Sequence, residues 1–356
     1  LDTLEEGSLT MVQALLLMGH YLHIKRASRC WHVFGLAIRA AQGLGLHLND
    51  INNKHSVVER EVRKRCWSGC LVMDTMLAMT FGRPTMISPK HYENAKLPEP
   101  VDDPCITPPA SLEDRNANPP KILVFLQRVK LCIILHNILR TLYESFGQEE
   151  IEGAFKAEEM AKFDQDLCGW LAQLPPPLKI KKSGEETADS PSGICVPNQM
   201  LYTRYLMVRI LLTRPSLVAV WRTAENLPNI PGRLSSLDHT YALSAAKACI
   251  SSSERMIDQI CIDRGLKRGI VGAAWYNTNC VFNAALVIFS AHIIPALRSH
   301  ISSRHYWQAS IDLMRSLSRI CHSARACLAM LELLNNHLSQ SGGKDAISTD
   351  SFLNNN

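Results

Sequence analysis

The sequence predicts an all-α protein, an irregular array of roughly ten helices in antiparallel pairs, divided into two lobes. Three observations carry this. Apolar residues recur at three- and four-residue spacing along most of the chain. The breaks between those runs hold Gly and Pro clusters. No credible strand pair and no clean repeat at a fixed period is found. With 356 residues, the chain is long enough for one large core or two smaller ones.

In chain order, Val12, Leu15, Leu16, Gly19 and Leu22 mark one face of a first helix. Ser28 is read as the cap of a second, with Trp31, Phe34, Ile38 and Ala41 on one side, ended by Gly43 and Gly45. Ser56-Val57-Val58-Glu59 reads as a capping box. The helix it opens carries Val62, Cys66, Cys70, Met73 and Leu77 inward and stops at Gly82-Arg83-Pro84. Ser88 to Pro120 reads as a long loop. Asn118-Pro119 opens the next helix, with Ile122, Leu126, Val129, Ile133 and Tyr143, ending at Gly147. Another runs to about Leu174 and is stopped by Pro175-Pro176-Pro177. Helices over Asn198–Arg214, to about Ala224, over Asp238–Arg264, over Gly269–Leu297 and over Ser303–Ser339 complete the set. The resulting organisation is a lobe over residues 1–177, an exposed or disordered linker over 178–197, a second lobe over 198–341 and a disordered tail over 342–356.

Charge and cysteine usage exclude several classes. The net charge of +5, from 38 basic and 33 acidic residues, is a mild excess that falls short of a polyanion-binding protein. Its densest basic stretch, Arg60, Arg63, Lys64 and Arg65, is interleaved with Glu59 and Glu61, so a solvated face of i,i+4 pairs is expected. The 12 cysteines contain no Cys-x-x-Cys, and the pairs Cys66/Cys70 and Cys321/Cys327 have no ligand-spaced His beside them. Cys132, Cys249 and Cys280 sit in apolar stripes. Reduced thiols in a cytosolic or nuclear protein are the expectation, with no metal and no cofactor in this chain. Leu1 to Leu17 lacks a basic n-region and a cleavage site, and a start at Leu1 rather than Met suggests a piece cut from a longer protein. Ile270 to Leu297 has no charged residue, but Asn277, Thr278, Asn279, Asn283, His292 and Pro295 make it a core helix rather than a membrane span.

The first hundred residues carry the informative motifs. They contain Ser8-Leu9-x-x-Val12-Gln13-Ala14-Leu15-Leu16-Leu17, then Gly19-His20-Tyr21-Leu22. Arg29-x-Trp31-x-x-x-Gly35-x-Ala37-x-Arg39-x-Ala41 and Leu44-Gly45-Leu46-His47 follow. Then come Arg63-Lys64-Arg65-Cys66-Trp67, Asp74 and Phe81-Gly82-Arg83-Pro84-x-x-Ile87. Their order and spacing resemble the middle homology region of fungal zinc-cluster transcription factors. Tyr202-x-x-Tyr205, Leu211-Leu212-x-Arg214-Pro215, Trp275-Tyr276 and Phe282-x-Ala284-Ala285-Leu286 resemble its distal half more loosely. The resemblance implies a regulatory domain that acts in transcription by RNA polymerase II, in the nucleus. It also implies zinc and DNA bound by an N-terminal six-cysteine cluster that this chain does not contain. A homodimer, contacts with the transcription machinery or co-regulators, and a small effector are further expectations; a membrane is not one.

Read as architecture, Gly82 suits a left-handed C-cap and Pro84 cannot extend the helix. Gly35 lies mid-helix, where it costs about 1 kcal/mol unless a neighbour approaches closely. Trp31 and Trp67 supply large buried surfaces. Asp74 falls on an apolar face and needs a partner, for which Arg39 and Arg83 are the local candidates. Asn277, Asn279, Asn283 and His292 are candidate orienting groups for an effector pocket, against the plainer reading that they bond neighbouring backbone.

Two other classes stay in view. A helical enzyme would need a carboxylate cluster or a fixed nucleophile and base. Asp102-Asp103 is followed by no acid in step, and His20 and His23, like His292, His300 and His305, lack a further ligand. No catalytic residue is assigned. A stand-alone helical interaction scaffold, or a truncated regulator that lacks the zinc cluster, would share this body; only sequence upstream of Leu1 discriminates them.

Overall fold

A computed structural model describes residues 7–25, 27–48, 55–94, 96–106, 120–143, 155–179, 195–224, 235–265, 270–300 and 305–341. Among them the regular structure is helical, with no strand. The chain divides into two compact units, with the boundary between Leu212 and Thr213.

In the first unit, α1 (Leu9–Lys25) and α2 (Ala27–Gly43) form a hairpin. Gly19 makes it possible: a Cβ there would stand 2.6 Å from the Phe34 ring. Ser56 caps the next helix: its hydroxyl accepts the Glu59 amide at 3.2 Å, while the Glu59 carboxylate pairs with His55 instead of closing the box. Helix α3 (Val57–Phe81) follows and is buried nearly all round from Cys66 to Ala78. Val12, Ile38, Ala41, Trp67, Cys70 and Leu71 join Ile87 and Tyr92 in one core. Tyr92 lies on the short α4 (Pro89–Glu93). Helix α5 (Ile122–Ile138) continues as a π-turn over Leu139–Tyr143. This Ile122–Tyr143 stretch is long and apolar enough to cross a membrane by composition alone. It instead buries Leu126, Val129, Leu131, Cys132, Leu135 and Ile138 inside the unit. Helices α6 (Ala157–Ala172) and α7 (Cys195–Thr213) follow.

The second unit holds α8 (Pro215–Ala224), α9 (Ser236–Gly265), α10 (Ile270–Ile293), α11 (His305–Leu317) and α12 (His322–Ser341), with a 3-10 segment at Pro295–His300. Helix α10 packs against α9, α11 and α12, and α8 against α9. Cys280, Val281, Ala284, Ala285, Val287, Ile288 and Ala291 supply its buried side.

Three expectations are revised, and the linker and tail fall mostly or wholly outside the described residues. The division lies at Leu212/Thr213, so α7 belongs with the N-terminal unit and not with a lobe starting at 198. It is tied there by the Tyr143 hydroxyl, which donates to the Leu211 carbonyl at 2.6 Å, and by Tyr205, stacked on Trp170 with ring centres 5.9 Å apart. Of the linker over 178–197, residues 180–194 lie outside the described residues, as does the tail over 342–356, while Cys195 already opens α7. Helix α2 begins at Ala27, which places Ser28 inside it. The single helix over 303–339 is two: residues 318–321 form a turn in which the Cys321 amide donates to Leu317 O and the Ser318 hydroxyl to Arg315 O.

Candidate functional site

The buried polar groups of α3 organise the motif residues. Asp74 is 2% exposed. Its carboxylate accepts the Met86 amide at 3.0 Å to both oxygens, the Ile87 amide at 2.9 Å and the Tyr92 hydroxyl at 3.1 Å. The Thr75 hydroxyl lies 3.0 Å from the Tyr92 oxygen and 3.0 Å from the Leu71 carbonyl. Burial pushes the Asp74 carboxyl above its ordinary pKa, against the pull of those two amides and the hydroxyl. The expected ion pair with Arg39 or Arg83 is not what satisfies it. Both arginines are exposed, and among the described residues Asp74 makes no ion pair. The chain reverses after α3 and points its own amides at the carboxylate, which meets the need a cation was expected to meet.

That reversal explains the rest of the motif. Gly82 has φ 61° and ψ 34°, and its amide and that of Arg83 both return to Ala78 O. A Cβ at Gly82 would touch nothing, so the glycine answers to backbone conformation and not to space. Arg83 lies over Trp31 at 4.9 Å and Phe81 at 5.6 Å, and the two rings meet edge-on at 6.4 Å. Trp31 is therefore half-buried, whereas Trp67 is buried as expected. Gly35 admits Met86, whose Cε would lie 3.3 Å from a Cβ there, so the close neighbour is the returning segment and not a helix. Pro84 is exposed on that segment.

A second buried acid lies at the start of α3. Glu61 accepts Arg65 Nε at 2.9 Å and the Glu99 amide at 3.0 Å, with Lys64 Nζ at 3.6 Å. Arg65 reaches on to the Val101 carbonyl at 2.6 Å and to Asp103. The face expected to be solvated is thus partly closed by the segment from Glu99 to Asp103. Asp102 caps α5 by accepting the amides of Lys121 and Ile122 at 3.1 and 3.2 Å. The two acids weighed as metal ligands therefore hold the chain together.

Aromatic nitrogen is also buried. The Tyr92 ring stacks on His136 at 3.8 Å and 7°. His136 is 1% exposed, and among the described residues neither ring nitrogen finds a hydrogen-bond partner. Burial, with Arg140 adding, pushes its pKa down to about 4. His47 and His91 lie 4.6 Å apart beside Trp67, and burial, then His91, lowers His47. Tyr92, Thr75 and His136 escaped the sequence reading, since no spacing links α4 to α3 and α5.

In the second unit the α10 side chains are largely committed to protein. Asn283 Nδ2 donates to Asn279 Oδ1 and Asn279 O, both at 2.9 Å, and its Oδ1 accepts Arg214 at 3.2 Å. His292 Nδ1 bonds Ile288 O at 2.8 Å. Asn277 is half-buried. Asn283 and His292 thus bond within their own helix or to Arg214, and Asn279 accepts from Asn283. Among the described residues no three His, Cys, Asp or Glu side chains come together to hold a metal ion.

Comparison with known proteins matches residues 2–171 to the fungal specific transcription factor domain. The activatory protein CHA4 of Saccharomyces cerevisiae is 26% identical over 63% of this chain and 34% of its own length. The cutinase transcription factor 1 beta of Fusarium vanettenii is 24% identical over 59% of this chain and 27% of its own. An uncharacterized transcriptional regulatory protein of Schizosaccharomyces pombe is 22% identical over 97% of this chain and 40% of its own. The chain thus spans about a third of the length of these curated relatives. No solved structure matches it.

Proposed function

Because residues 2–171 belong to the fungal specific transcription factor domain family, we propose that this regulatory domain serves a zinc-cluster activator or repressor of RNA polymerase II transcription in the nucleus. One observation carries the reading: the matched segment covers the stretch in which the motif residues around Asp74, Gly82 and Trp67 build one core. The relatives are named as transcriptional regulators, and the motif's polar groups bond to the fold itself rather than converging as a nucleophile with a base. A role without catalysis follows from this reading.

By the same proposal, zinc and DNA belong to residues outside this chain. With a net charge of +5, the chain itself binds DNA weakly and salt-sensitively. Homodimerisation, contacts with co-regulators and response to a small effector are roles that suit such a body. The test is a reporter gene driven by a DNA-binding module fused to this chain. Output is expected to change several-fold, on the order of 5-fold, when Asp74→Ala disrupts the body at equal protein level. Unchanged output, or nanomolar sequence-specific DNA binding by the purified chain, contradicts the proposal.

A further inference from the structure

Trp67 Nε1 on α3, His47 Nδ1 after α2 and His91 Nδ1 on α4 are each closed to solvent, and among the described residues none of the three has a hydrogen-bond partner. They belong to one cluster of rings. His47 and His91 lie 4.6 Å apart between centres, and Trp67 stands 5.7 Å from His47 and 6.2 Å from His91. Both imidazoles are half-buried; with Nδ1 turned inward, each leaves Nε2 toward solvent. Buried polar atoms are rarely left unpaired, and here three adjoining rings each carry one.

Different elements supply the two imidazoles. His47 follows the turn that ends α2, where Gly45 has φ 67° and the Leu46 amide donates to Ala41 O at 2.9 Å. Arg63 of α3 pins that turn by donating to Leu44 O at 2.6 Å. His91 sits beside Tyr92 on α4, so it moves with the segment that holds Asp74. The corner suits neutral rings. A neutral imidazole keeps its one proton on Nε2, where water accepts it. A second proton goes on Nδ1, where no acceptor stands among the described residues and the Trp67 nitrogen is itself a donor only. Nor does the surrounding charge invite it. α3 brings Arg63, whose acid is Glu59 at 3.9 Å; α4 brings Lys90 and Glu93, both exposed; α5 brings His136 against the Tyr92 ring; α1 carries no Asp or Glu. Among the described residues no carboxylate pairs with either imidazole. Burial, and then His91, hold the His47 pKa below 6.5.

We propose that His47, His91 and Trp67 form a proton-sensitive latch that closes α4 against α3 and the end of α2. Neutral rings pack together. A proton on either imidazole puts a charge and an unanswered N–H into the contact, and a second proton is opposed by the first across 4.6 Å. A histidine whose pKa falls on folding stabilises the fold fully above 6.5, and that contribution is lost as pH drops below it. Opening releases His91 and, with it, Tyr92. The bond from Tyr92 to Asp74 is then proton-linked through a histidine pair distinct from His136. The latch stands independently of the transcriptional reading, because it rests on the three rings alone.

The test is hydrogen exchange of the full chain, read at the amides of Met86, Ile87 and His91, beside an NMR titration of isotope-labelled histidine. Between about pH 7.5 and 5.5, the protection of those amides, corrected for intrinsic exchange, is expected to fall about tenfold or more in the parent. His136→Phe keeps that loss, since His136 is pushed to about 4 and stays neutral over this range. His47→Phe with His91→Phe abolishes it. His47→Gln with His91→Gln, neutral at every pH and still polar, abolishes it too and covers the case in which the larger rings do not fit. In the titration, replacing His91 alone with Gln moves the His47 midpoint upward. The proposal is overturned by any of four results: no loss of protection in the parent, an equal loss in the double variants, a loss that disappears in His136→Phe, or His47 and His91 titrating independently of each other at about 6.5.

Discussion

Glu61 and Asp74 stand on the same helix, 3% and 2% exposed, yet their carboxylates are held by different chemistry. Glu61 is held by two cations of its own helix, Arg65 and Lys64, and one amide. Asp74 is held by two amides and a tyrosine hydroxyl, with no cation among the described residues. The first solution is local, an i,i+4 pair that fastens a passing segment. The second is tertiary, because Met86, Ile87 and Tyr92 reach the carboxylate only once the chain has turned at Gly82. A helical spacing therefore discloses the partner of Glu61 and conceals that of Asp74.

The largest expected effect breaks the tertiary arrangement. Asp74→Ala orphans the Met86 and Ile87 amides and leaves the Tyr92 hydroxyl only the Leu71 carbonyl at 3.4 Å to donate to, and should destabilise the N-terminal unit by about 3 kcal/mol in urea unfolding. Next is a pH effect beside the same network. The His136 pKa is lowered to about 4 from 6.5, so the stability its neutral form contributes is complete above pH 6.5 and is lost as pH falls toward 4. At pH 5 the loss is about 2 kcal/mol. His136→Phe keeps a ring against Tyr92 and should abolish that portion of the acid sensitivity; an unchanged stability–pH curve would show that His136 does not carry it. Glu61→Ala tests the local arrangement and should cost about 1.5 kcal/mol, since Arg65 retains Val101 O and Asp103. Gly82→Ala forces a side chain into φ 61° and should cost about 1 kcal/mol by the same measurement. The smallest effect belongs to Arg39→Ala, an exposed position at which a change within about 0.5 kcal/mol is expected.

The same contrast marks what the sequence could disclose. Helix faces, the Ser56 cap and the Gly82 stop were legible because each is decided by residues within one or two turns. Asp102 as the cap of α5 was not, because it is supplied from 19 residues upstream. Nor was the turn at 318–321, which contains neither Gly nor Pro. The boundary at Leu212/Thr213 depends on what α7 packs against, while composition pointed to the polar stretch before it. Within the candidate site, Asp74 was recognised as buried and in need of a partner, but the nearest arginines in sequence were not its neighbours in space. Asn279 and Asn283 could have been paired from their i,i+4 spacing, which offers them a partner other than an effector.

Whether Asp74 is architecture held by the returning chain is decided most directly by double-mutant cycles in urea unfolding, pairing Asp74→Asn in turn with Tyr92→Phe, Arg39→Ala and Arg83→Ala. The structure predicts a coupling of about 1 kcal/mol with Tyr92 and none with either arginine. Coupling above about 1 kcal/mol to Arg39 or Arg83, with none to Tyr92, would contradict it and restore the ion pair.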